Sequence, residues 1–380
     1  MKDKMDKLDQ RYAPLTELLF QKATKEKIPL NGTLELSPIC NMNCKMCYIH
    51  KSVKEVKEHP RPMMRLNEWI SLAEEMKRQG TLYLLLTGGE PLLWPDFWTL
   101  YEKLHQMGFL ISINTNGSLI DDTVIQRLSK MPPNRVNITL YGASEETYYN
   151  LCGVHGVYAQ VVNAILKLKK TGILVRINGS FTPDNAKDID DIFDFAEKYE
   201  IEFRPTTYMF PPIRREIDRI GVNKRFTPEE AAYYQLKINR RCLKNEKIYH
   251  HLLEEILKGQ TVPIGLQEEC MDQANGKLRC KAGKAAFWVT WDAYISLCGM
   301  MPEYKVDYRK TNFLDAWKMI NKMSEEITLS GICEKCDNIR LCHACAAMAI
   351  AETGDVMKVP KYLCEMVKAM KKIARDELKS

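Results

Sequence analysis

The chain of 380 residues has no apolar run that approaches the roughly 20 residues needed to span a bilayer. Its first seven residues are highly charged and lead into no apolar signal segment. It also has no low-complexity tract and no stripe of interleaved aromatic and basic residues, the pattern that single-stranded nucleic acid needs. These absences argue against membrane and nucleic-acid partners and predict a soluble, cytoplasmic protein.

The charge of the chain is nearly balanced. Its 55 basic and 49 acidic residues leave a net charge of +6, which is typical of an ordinary solvated surface. With 45% hydrophobic residues, the chain is long enough for one large domain and a smaller one. Because no signal segment precedes them, we expect the 13 cysteines to be reduced thiols rather than disulfides.

Short apolar segments alternate with longer amphipathic helical patterns from about residue 32 to residue 210. This rhythm predicts βα units and a parallel sheet. Six strands are expected, at residues 33–37, 83–87, 110–114, 135–140, 174–178 and 201–206. Helices are expected at residues 15–25, 66–79, 97–107, 120–130, 158–170, 188–199 and 228–257. Parallel barrels carry their chemistry where strands end, and the motifs below all lie there.

Three cysteines follow the first predicted strand. Cys40, Cys44 and Cys47 form a Cys-x3-Cys-x2-Cys loop, and Tyr48 comes directly after it. Structural zinc sites and ordinary ferredoxin clusters have four protein ligands. Three thiolates on one loop can instead hold three irons of a 4Fe-4S cube and leave the fourth iron open to a substrate or cofactor.

The loop resembles the signature of the radical S-adenosylmethionine (SAM) enzymes, in which SAM chelates the open iron. The resemblance spans about residues 32–370. It implies an α/β fold with a partial (β/α)6 TIM-like barrel, a 4Fe-4S cluster and SAM as cofactors, and cleavage of SAM to a 5′-deoxyadenosyl radical that abstracts hydrogen. A reducing partner such as flavodoxin or ferredoxin would supply the electron.

Two further strand ends carry motifs that resemble SAM-binding elements. Gly88, Gly89 and Glu90 follow the second strand, where adjacent glycines permit close backbone approach to a ligand. In the family, this Gly-Gly-Glu motif binds the SAM amino group. Asn116 lies in a Thr-Asn-Gly turn after the third strand, where it either touches a ligand or serves only as a left-handed turn residue.

The resemblance implies four more cofactor-binding residues around the same site. Thr139, at the end of the fourth strand, stands where relatives use a serine to contact the SAM ribose. Tyr141, two residues later, departs from the aspartate that relatives carry there. Asn178 and Ser180, after the fifth strand, would complete the pocket, and Tyr48 would line it beside the cysteine loop.

The second half of the chain is rich in cysteine, with eight between residues 270 and 364 against five in the first 269 residues. Taken alone, the run from Cys333 to Cys345 has zinc-like spacing. The whole pattern resembles the SPASM extension of radical SAM proteins, which holds two auxiliary 4Fe-4S clusters. It departs from that extension in two places: Ala293 replaces an expected glycine, and two residues rather than three precede Cys345.

The SPASM resemblance implies two sets of cluster ligands. One cluster would be held by Cys333, Cys336, Cys342 and Cys364. The other would be held by Cys280, Cys298 and Cys345, with Cys270 as fourth ligand or with an open iron that receives a substrate thiolate. The corresponding domain division is a helical extension (1–30), the barrel (31–227), a helical linker (228–265) and the auxiliary-cluster domain (266–380).

Relatives with this extension mostly modify peptides or proteins, and smaller numbers act on haem or small-molecule precursors. We therefore expect oxidation of a peptide side chain, with maturation of a small-molecule or haem-type precursor as the alternative. A noncatalytic iron-sulfur or zinc scaffold is the alternative of another class. Gly299 stands where sulfatase-maturing relatives carry a catalytic aspartate, which argues against that activity.

Two other features bear on partners and catalysis. Only about 30 residues precede the first strand, too few for the leader-binding domain of many peptide-modifying relatives, so a separate leader-binding protein is one expectation. The sequence identifies no catalytic base or hydrogen donor.

Five residues near these motifs are expected to have no role in the chemistry. Cys152 and Cys242 are predicted to be small core residues. Arg176 is predicted to form an internal ion pair. Arg214 and Arg215 are predicted to be solvated charges rather than contacts to a substrate carboxylate.

Overall fold

The computed structural model describes residues 15–215, 221, 224–260 and 280–379. Its strands join into one nine-stranded sheet with the order β6-β5-β4-β3-β2-β1-β7-β8-β9. The strands are β1 (Asn31–Glu35), β2 (Tyr83–Thr87), β3 (Leu110–Thr115), β4 (Arg135–Thr139), β5 (Val175–Ser180), β6 (Glu202–Thr206), β7 (Ala286–Val289), β8 (Tyr294–Ser296) and β9 (Lys305–Asp307).

Helices flank the sheet and form most of the C-terminal part of the described chain. They are α1 (15–26), α2 (Val53–Glu58), α3 (Leu66–Arg78), α4 (Phe97–Gln106), α5 (Asp122–Lys130), α6 (Glu145–Cys152), α7 (Tyr158–Lys170), α8 (Ile189–Lys198), α9 (Pro228–Leu243), α10 (Glu246–Leu257), α11 (Phe313–Glu326), α12 (Gly331–Glu334), α13 (Ile339–Cys342), α14 (Ala346–Thr353) and α15 (Lys361–Glu377).

Strands β1 to β6 are parallel, and each pairs with the next strand along the chain. The helices between them bury one apolar stripe at helical spacing. In α3, for example, Trp69, Leu72, Ala73 and Met76 are buried on one face. Such a stripe must pack against the sheet to leave water, which forces the alternation of strand and helix into a layered α/β fold. The predicted partial (β/α)6 barrel is therefore confirmed.

The C-terminal part of the chain extends this same sheet. Strand β7 lies parallel to β1, and β8 and β9 continue antiparallel from it. The β1–β7 contact depends on Gly32, because a Cβ there would lie 2.6 Å from the ring of Phe287. Ala293, in the turn between β7 and β8, has a positive φ of 70°, a left-handed backbone that favours glycine, the residue expected there from the SPASM resemblance.

The helical stretch predicted at residues 228–257 is two helices. Lys244 ends α9 in a left-handed conformation with φ 51°, and the Asn245 side chain then caps α10. Both helices pack against α15 through apolar residues that include Leu236, Leu253 and Val367. The predicted boundary at residue 266 lies outside the described residues, and the division into domains stays a prediction.

A buried ion pair joins the barrel to the C-terminal helices. Arg225, which follows β6, contacts both carboxylate oxygens of Glu352 in α14, with 2.8 Å between Nη2 and Oε2. Both side chains are 5% exposed. Tyr208 donates to the same carboxylate at 2.7 Å, and the Arg225 guanidinium lies 3.8 Å from the ring centre of Tyr362. Tyr362 is two residues before Cys364, so this pair anchors a segment that carries predicted cluster ligands.

Among the helices that the structure describes, none is long and apolar enough to cross a membrane.

Candidate active site

The three-cysteine loop lies at the C-terminal end of β1. Two of its sulfurs accept hydrogen bonds from nearby backbone amides, Cys40 Sγ from Met42 at 3.4 Å and Cys47 Sγ from His50 at 3.3 Å. Amide hydrogen bonds to sulfur stabilise thiolates and are one of the features that tune iron-sulfur clusters. The donor set of this loop therefore fits an iron-sulfur group.

Burial disfavours thiolates in this loop unless a positive group balances them. It raises the pKa of Cys40 to about 12, and the neighbouring Cys44 and Cys47 add to the effect. Burial also raises the pKa of Cys47. Cluster iron would supply the positive charge that keeps these sulfurs deprotonated, and its binding would release their protons.

Cys44 has two neighbours that the sequence did not assign to the site. A hydrogen bond with the Cys152 side chain, together with burial, raises the pKa of Cys44, whereas the Tyr141 hydroxyl lowers it. The carbonyl of Cys152, at the end of α6, accepts from the Asn43 amide at 2.9 Å. Cys152 is fully buried, as predicted, but it lies against a predicted cluster ligand. Cys242 is exposed, so its predicted place in the core is wrong.

The two glycines after β2 are required by the chain itself. A Cβ on Gly88 would lie 2.4 Å from the carbonyl oxygen of Ser37, and one on Gly89 would lie 2.4 Å from that of Ile39. The Gly89 amide donates to the Ser37 carbonyl at 2.7 Å. The close approach predicted for a ligand is therefore already made to the segment that leads into Cys40.

Glu90 is fully buried, and its carboxylate accepts hydrogen bonds from three residues. Thr115 Oγ1 lies 2.9 Å from both oxygens, the Asn116 amide lies 2.8 Å from Oε2, and the Leu92 amide lies 3.1 Å from Oε1. Burial outweighs these bonds and raises the pKa of Glu90 to about 7. Glu90 thus fixes the turn after β3, in addition to its predicted role at the SAM amino group.

Asn116 connects that turn to the cysteine loop. Its side-chain amide donates to Asn41 Oδ1 at 2.9 Å and to Cys40 Sγ at 3.6 Å. The left-handed residue in this turn is Gly117, with φ 80°, rather than Asn116. The Asn116 side chain therefore positions Cys40, the first predicted cluster ligand. The interpretation of Asn116 as a simple left-handed turn residue is wrong.

The remaining predicted SAM contacts lie at the ends of β4 and β5. Thr139 pairs in register with Asn178, and both are partly exposed, as is Ser180. Asn185, which the sequence did not single out, is fully buried and donates to the carbonyls of Tyr141 at 2.8 Å and Ser180 at 3.0 Å. It holds the two strand ends together, while the SAM contacts of these residues stay a prediction.

Arg214 was predicted to be a solvated charge, and this prediction is wrong. Its side chain is 11% exposed, and its two terminal nitrogens each lie 2.7 Å from an oxygen of Glu35, which is fully buried at the end of β1. Trp288 on β7 donates to the same carboxylate at 3.1 Å. The guanidinium lies 5.8 Å from the ring centre of Tyr48. Arg176 forms the internal ion pair that was predicted, with Glu202 at 2.8 Å.

The C-terminal cysteines form two groups. Cys345 interacts electrostatically with Cys298 and Cys280, and burial raises its pKa to about 12. Cys342 interacts with Cys364, Cys333 and Cys336, and burial raises its pKa to about 11. The described cysteines thus group in the same way as the two ligand sets implied by the SPASM resemblance, and their role as cluster ligands stays a prediction. Cys270 lies outside the described residues, and within the described ones no three Cys, His, Asp or Glu side chains are arranged to hold a single metal ion.

The fold and the loop together define a radical SAM enzyme. Residues 34–196 of the chain match the profile of the Radical SAM superfamily. Its cofactors are accordingly a 4Fe-4S cluster and SAM, and the predicted enzyme class is confirmed. The alternative of a noncatalytic scaffold is not supported.

Individual relatives differ in how much of the chain they cover. AdoMet-dependent heme synthase of Methanosarcina barkeri is 23% identical over 86% of this chain and 94% of its own. Mycofactocin maturase MftC of Mycobacterium ulcerans is 29% identical over only 47% of each chain. The solved structure of native anSMEcpe with bound AdoMet has a TM-score of 0.67 at 18% identity, covering 92% of this chain and 98% of its own. At that identity the structural likeness shows the fold alone.

Proposed function

We propose that this protein oxidises a haem-type precursor that carries carboxylate groups, starting from hydrogen abstraction by the 5′-deoxyadenosyl radical. The observation that carries the proposal is the coverage of the relatives. The heme synthase of M. barkeri aligns along 86% of this chain and 94% of its own length, whereas the mycofactocin maturase aligns along about half of each chain. We therefore prefer a haem-type precursor, which the sequence analysis gave as the alternative, to the peptide that was expected first.

The residues that would hold the SAM cluster are Cys40, Cys44 and Cys47. Asn116 and the amides of Met42 and His50 would orient and stabilise the sulfurs. When bound, the cluster supplies the electron that cleaves SAM. Glu90 would accept the SAM amino group, and the ends of β4 and β5 would contact the rest of the cofactor. This part of the proposal rests on the geometry after β1, β2 and β3.

Oxidation also needs an outlet for an electron. Hydrogen abstraction leaves a substrate radical, and a closed-shell product forms when that radical loses one electron together with a proton or carbon dioxide. The two groups of C-terminal cysteines would hold auxiliary 4Fe-4S clusters that accept this electron. The group of Cys280, Cys298 and Cys345 is the one next to the cysteine loop. Its Cys298 interacts with Arg214, whose guanidinium lies over the ring of Tyr48.

The first test is a measurement of iron, sulfide and zinc per chain after anaerobic reconstitution. About twelve irons per chain would support one SAM cluster and two auxiliary clusters. About four irons together with zinc would leave the SAM cluster intact but contradict the proposed electron outlet. Replacing Cys336 and Cys342 with alanine should remove about four irons and retain the SAM cluster signal.

The second test measures 5′-deoxyadenosine formed from SAM under a strong reductant. Haem-type precursors that carry carboxylates should increase its yield and be consumed in about equal amount, whereas their methyl esters should not. Deoxyadenosine without any consumption of such precursors, together with modification of a peptide, would contradict the proposal. Peptide oxidation is the second candidate, favoured by the higher local identity to the mycofactocin maturase.

A further inference from the structure

A cavity of about 350 Å³ opens where the cysteine loop, the chain after β6 and the β7–β9 hairpin meet. Besides Arg214, three Lys or Arg side chains line it, one from each of these segments: Lys51, Arg215 and Lys305. Cys298, a predicted auxiliary-cluster ligand, also lines it. The cavity therefore lies between the loop that would hold the SAM cluster and the hairpin that would hold an auxiliary cluster.

The charges around the cavity do not cancel. Arg214 forms part of the wall, but its positive charge is already balanced by the Glu35 carboxylate through two 2.7 Å contacts. Across the described parts of the chain, no salt bridge connects Lys51, Arg215 or Lys305 to a carboxylate. Asp292 is the one acidic residue among those lining the cavity, and its Oδ1 accepts from Thr290 at 2.6 Å. Three cations thus face one carboxylate.

The contacts of these cations leave their charges available. Lys51 is fixed through its backbone, whose amide donates to Pro38 at 3.1 Å, so its side chain is not needed for the loop. Arg215 donates to Asn43 Oδ1 at 3.3 Å, and its charge acts on Cys47 rather than on a carboxylate of the described residues. Lys305 lies 4.1 Å from the ring centre of Tyr294. Each cation can therefore form a charge-assisted hydrogen bond with an anionic ligand.

We infer that this cavity binds a carboxylate-bearing arm of the substrate, and the inference rests on the proposed haem-type precursor. Its volume is at the small end of the roughly 300–1,000 Å³ that is usual for ligand pockets, so it suits an acidic side arm rather than a whole macrocycle. The arm would anchor the ring beside the SAM site. Lys51, Arg215 and Lys305 are positioning residues for this ligand.

The test is equilibrium binding of a porphyrin with four propionate groups to the anaerobically reconstituted enzyme, without SAM or reductant, followed by fluorescence quenching. The porphyrin tetramethyl ester is the matched neutral probe. The free acid should bind at least about tenfold more tightly than the ester, and 0.5 M salt should weaken only the acid. Lys51→Ala and Arg215→Ala should each weaken acid binding about fivefold and change ester binding less than twofold.

Lys318→Ala is the control, since Lys318 is exposed on α11 and pairs with Asp315. Iron content checks that each variant is folded and loaded, and the salt dependence of the wild-type enzyme serves where a variant fails that check. Equal affinity for acid and ester, or parallel loss of both in the variants, would overturn the inference. So would a glutamate-rich peptide that binds through Lys51 and Arg215 when the porphyrin does not. Because no turnover is involved, this result is independent of the deoxyadenosine assay.

Discussion

Arg214 and Glu35 form a bidentate ion pair in the barrel interior, although 179 residues separate them in the chain. The carboxylate is fully buried and the arginine side chain is 11% exposed. Because Trp288 on β7 also donates to Glu35, this pair connects β1, the segment after β6 and the C-terminal hairpin. The pair lies next to Tyr48, whose ring centre is 5.8 Å from the Arg214 guanidinium.

Removing one partner of this pair should be strongly destabilising. Arg214→Met leaves the buried Glu35 carboxylate without its charged partner, and should lower the free energy of unfolding by about 3–5 kcal/mol. The double variant Arg214→Met with Glu35→Gln leaves no buried charge at this pair and should recover at least half of that loss. Urea unfolding of the four proteins of this double-mutant cycle measures the coupling. Independent, additive losses would show that the pair contributes nothing as a unit.

Glu90 should make stability depend on pH. Burial raises its pKa from 4.5 to about 7, so the folded protein binds a proton that the unfolded chain has lost between these values. The free energy of unfolding contributed by Glu90 therefore falls as pH rises from about 4.5 to 7, by about 3 kcal/mol. Glu90→Gln, which stays neutral, should gain at least about 2 kcal/mol relative to wild type between pH 5 and pH 8. A difference that does not change with pH would contradict the raised pKa.

The ion pair between Arg225 and Glu352 should matter far more than an exposed pair of similar geometry. Glu352→Ala leaves the buried Arg225 without a charged partner and should cost about 3–5 kcal/mol. We also expect lower iron content, because α14 and Tyr362 flank predicted ligands. Arg240 and Glu246 provide the comparison, since both are more than half exposed and Glu246→Ala should cost far less than Glu352→Ala. Thermal unfolding and iron analysis check both variants, and equal costs would refute the role of burial.

Gly299 should not tolerate the aspartate found in sulfatase-maturing relatives. A Cβ there would lie 2.7 Å from the Trp288 ring, so Gly299→Asp must displace the indole that donates to Glu35. We expect a loss of about 1–3 kcal/mol and a shift in tryptophan fluorescence. Gly331→Ala is the matched control, because a Cβ at that position meets nothing within 4 Å. An unchanged emission spectrum in Gly299→Asp would show that Trp288 does not move.

The strands of the barrel were predictable because their apolar runs and the helical stripes between them are local patterns. The second strand has its predicted bounds, and the first is displaced by two residues. Helices α2 and α6 were missed, since they are short and largely polar. Their N-cap serines, Ser52 and Ser144, each followed three residues later by a residue that donates to the cap, were the available signal.

The sequence predicted the candidate site only at residues that belong to a recognisable motif. The cysteine loop and the Gly-Gly-Glu turn have such motifs. Arg214 and Cys152 do not, because their roles depend on contacts with Glu35 and Cys44 that are distant in the chain. Tyr141 was noticed as a departure from the family aspartate, but only the fold shows that its hydroxyl lies beside Cys44. Such pairings arise from packing, on which local sequence carries no information.

The parallel pairing of β1 with β7 means that the barrel and the cysteine-rich part share one hydrogen-bonded ladder. A fragment cut before residue 286 would expose the backbone of β1, the strand that leads into Cys40, as an open edge. Open edges recruit strands from other molecules, so such a fragment should aggregate rather than behave as a minimal catalyst. Chimeras that exchange the C-terminal half between relatives must therefore transfer a strand interface that matches β1.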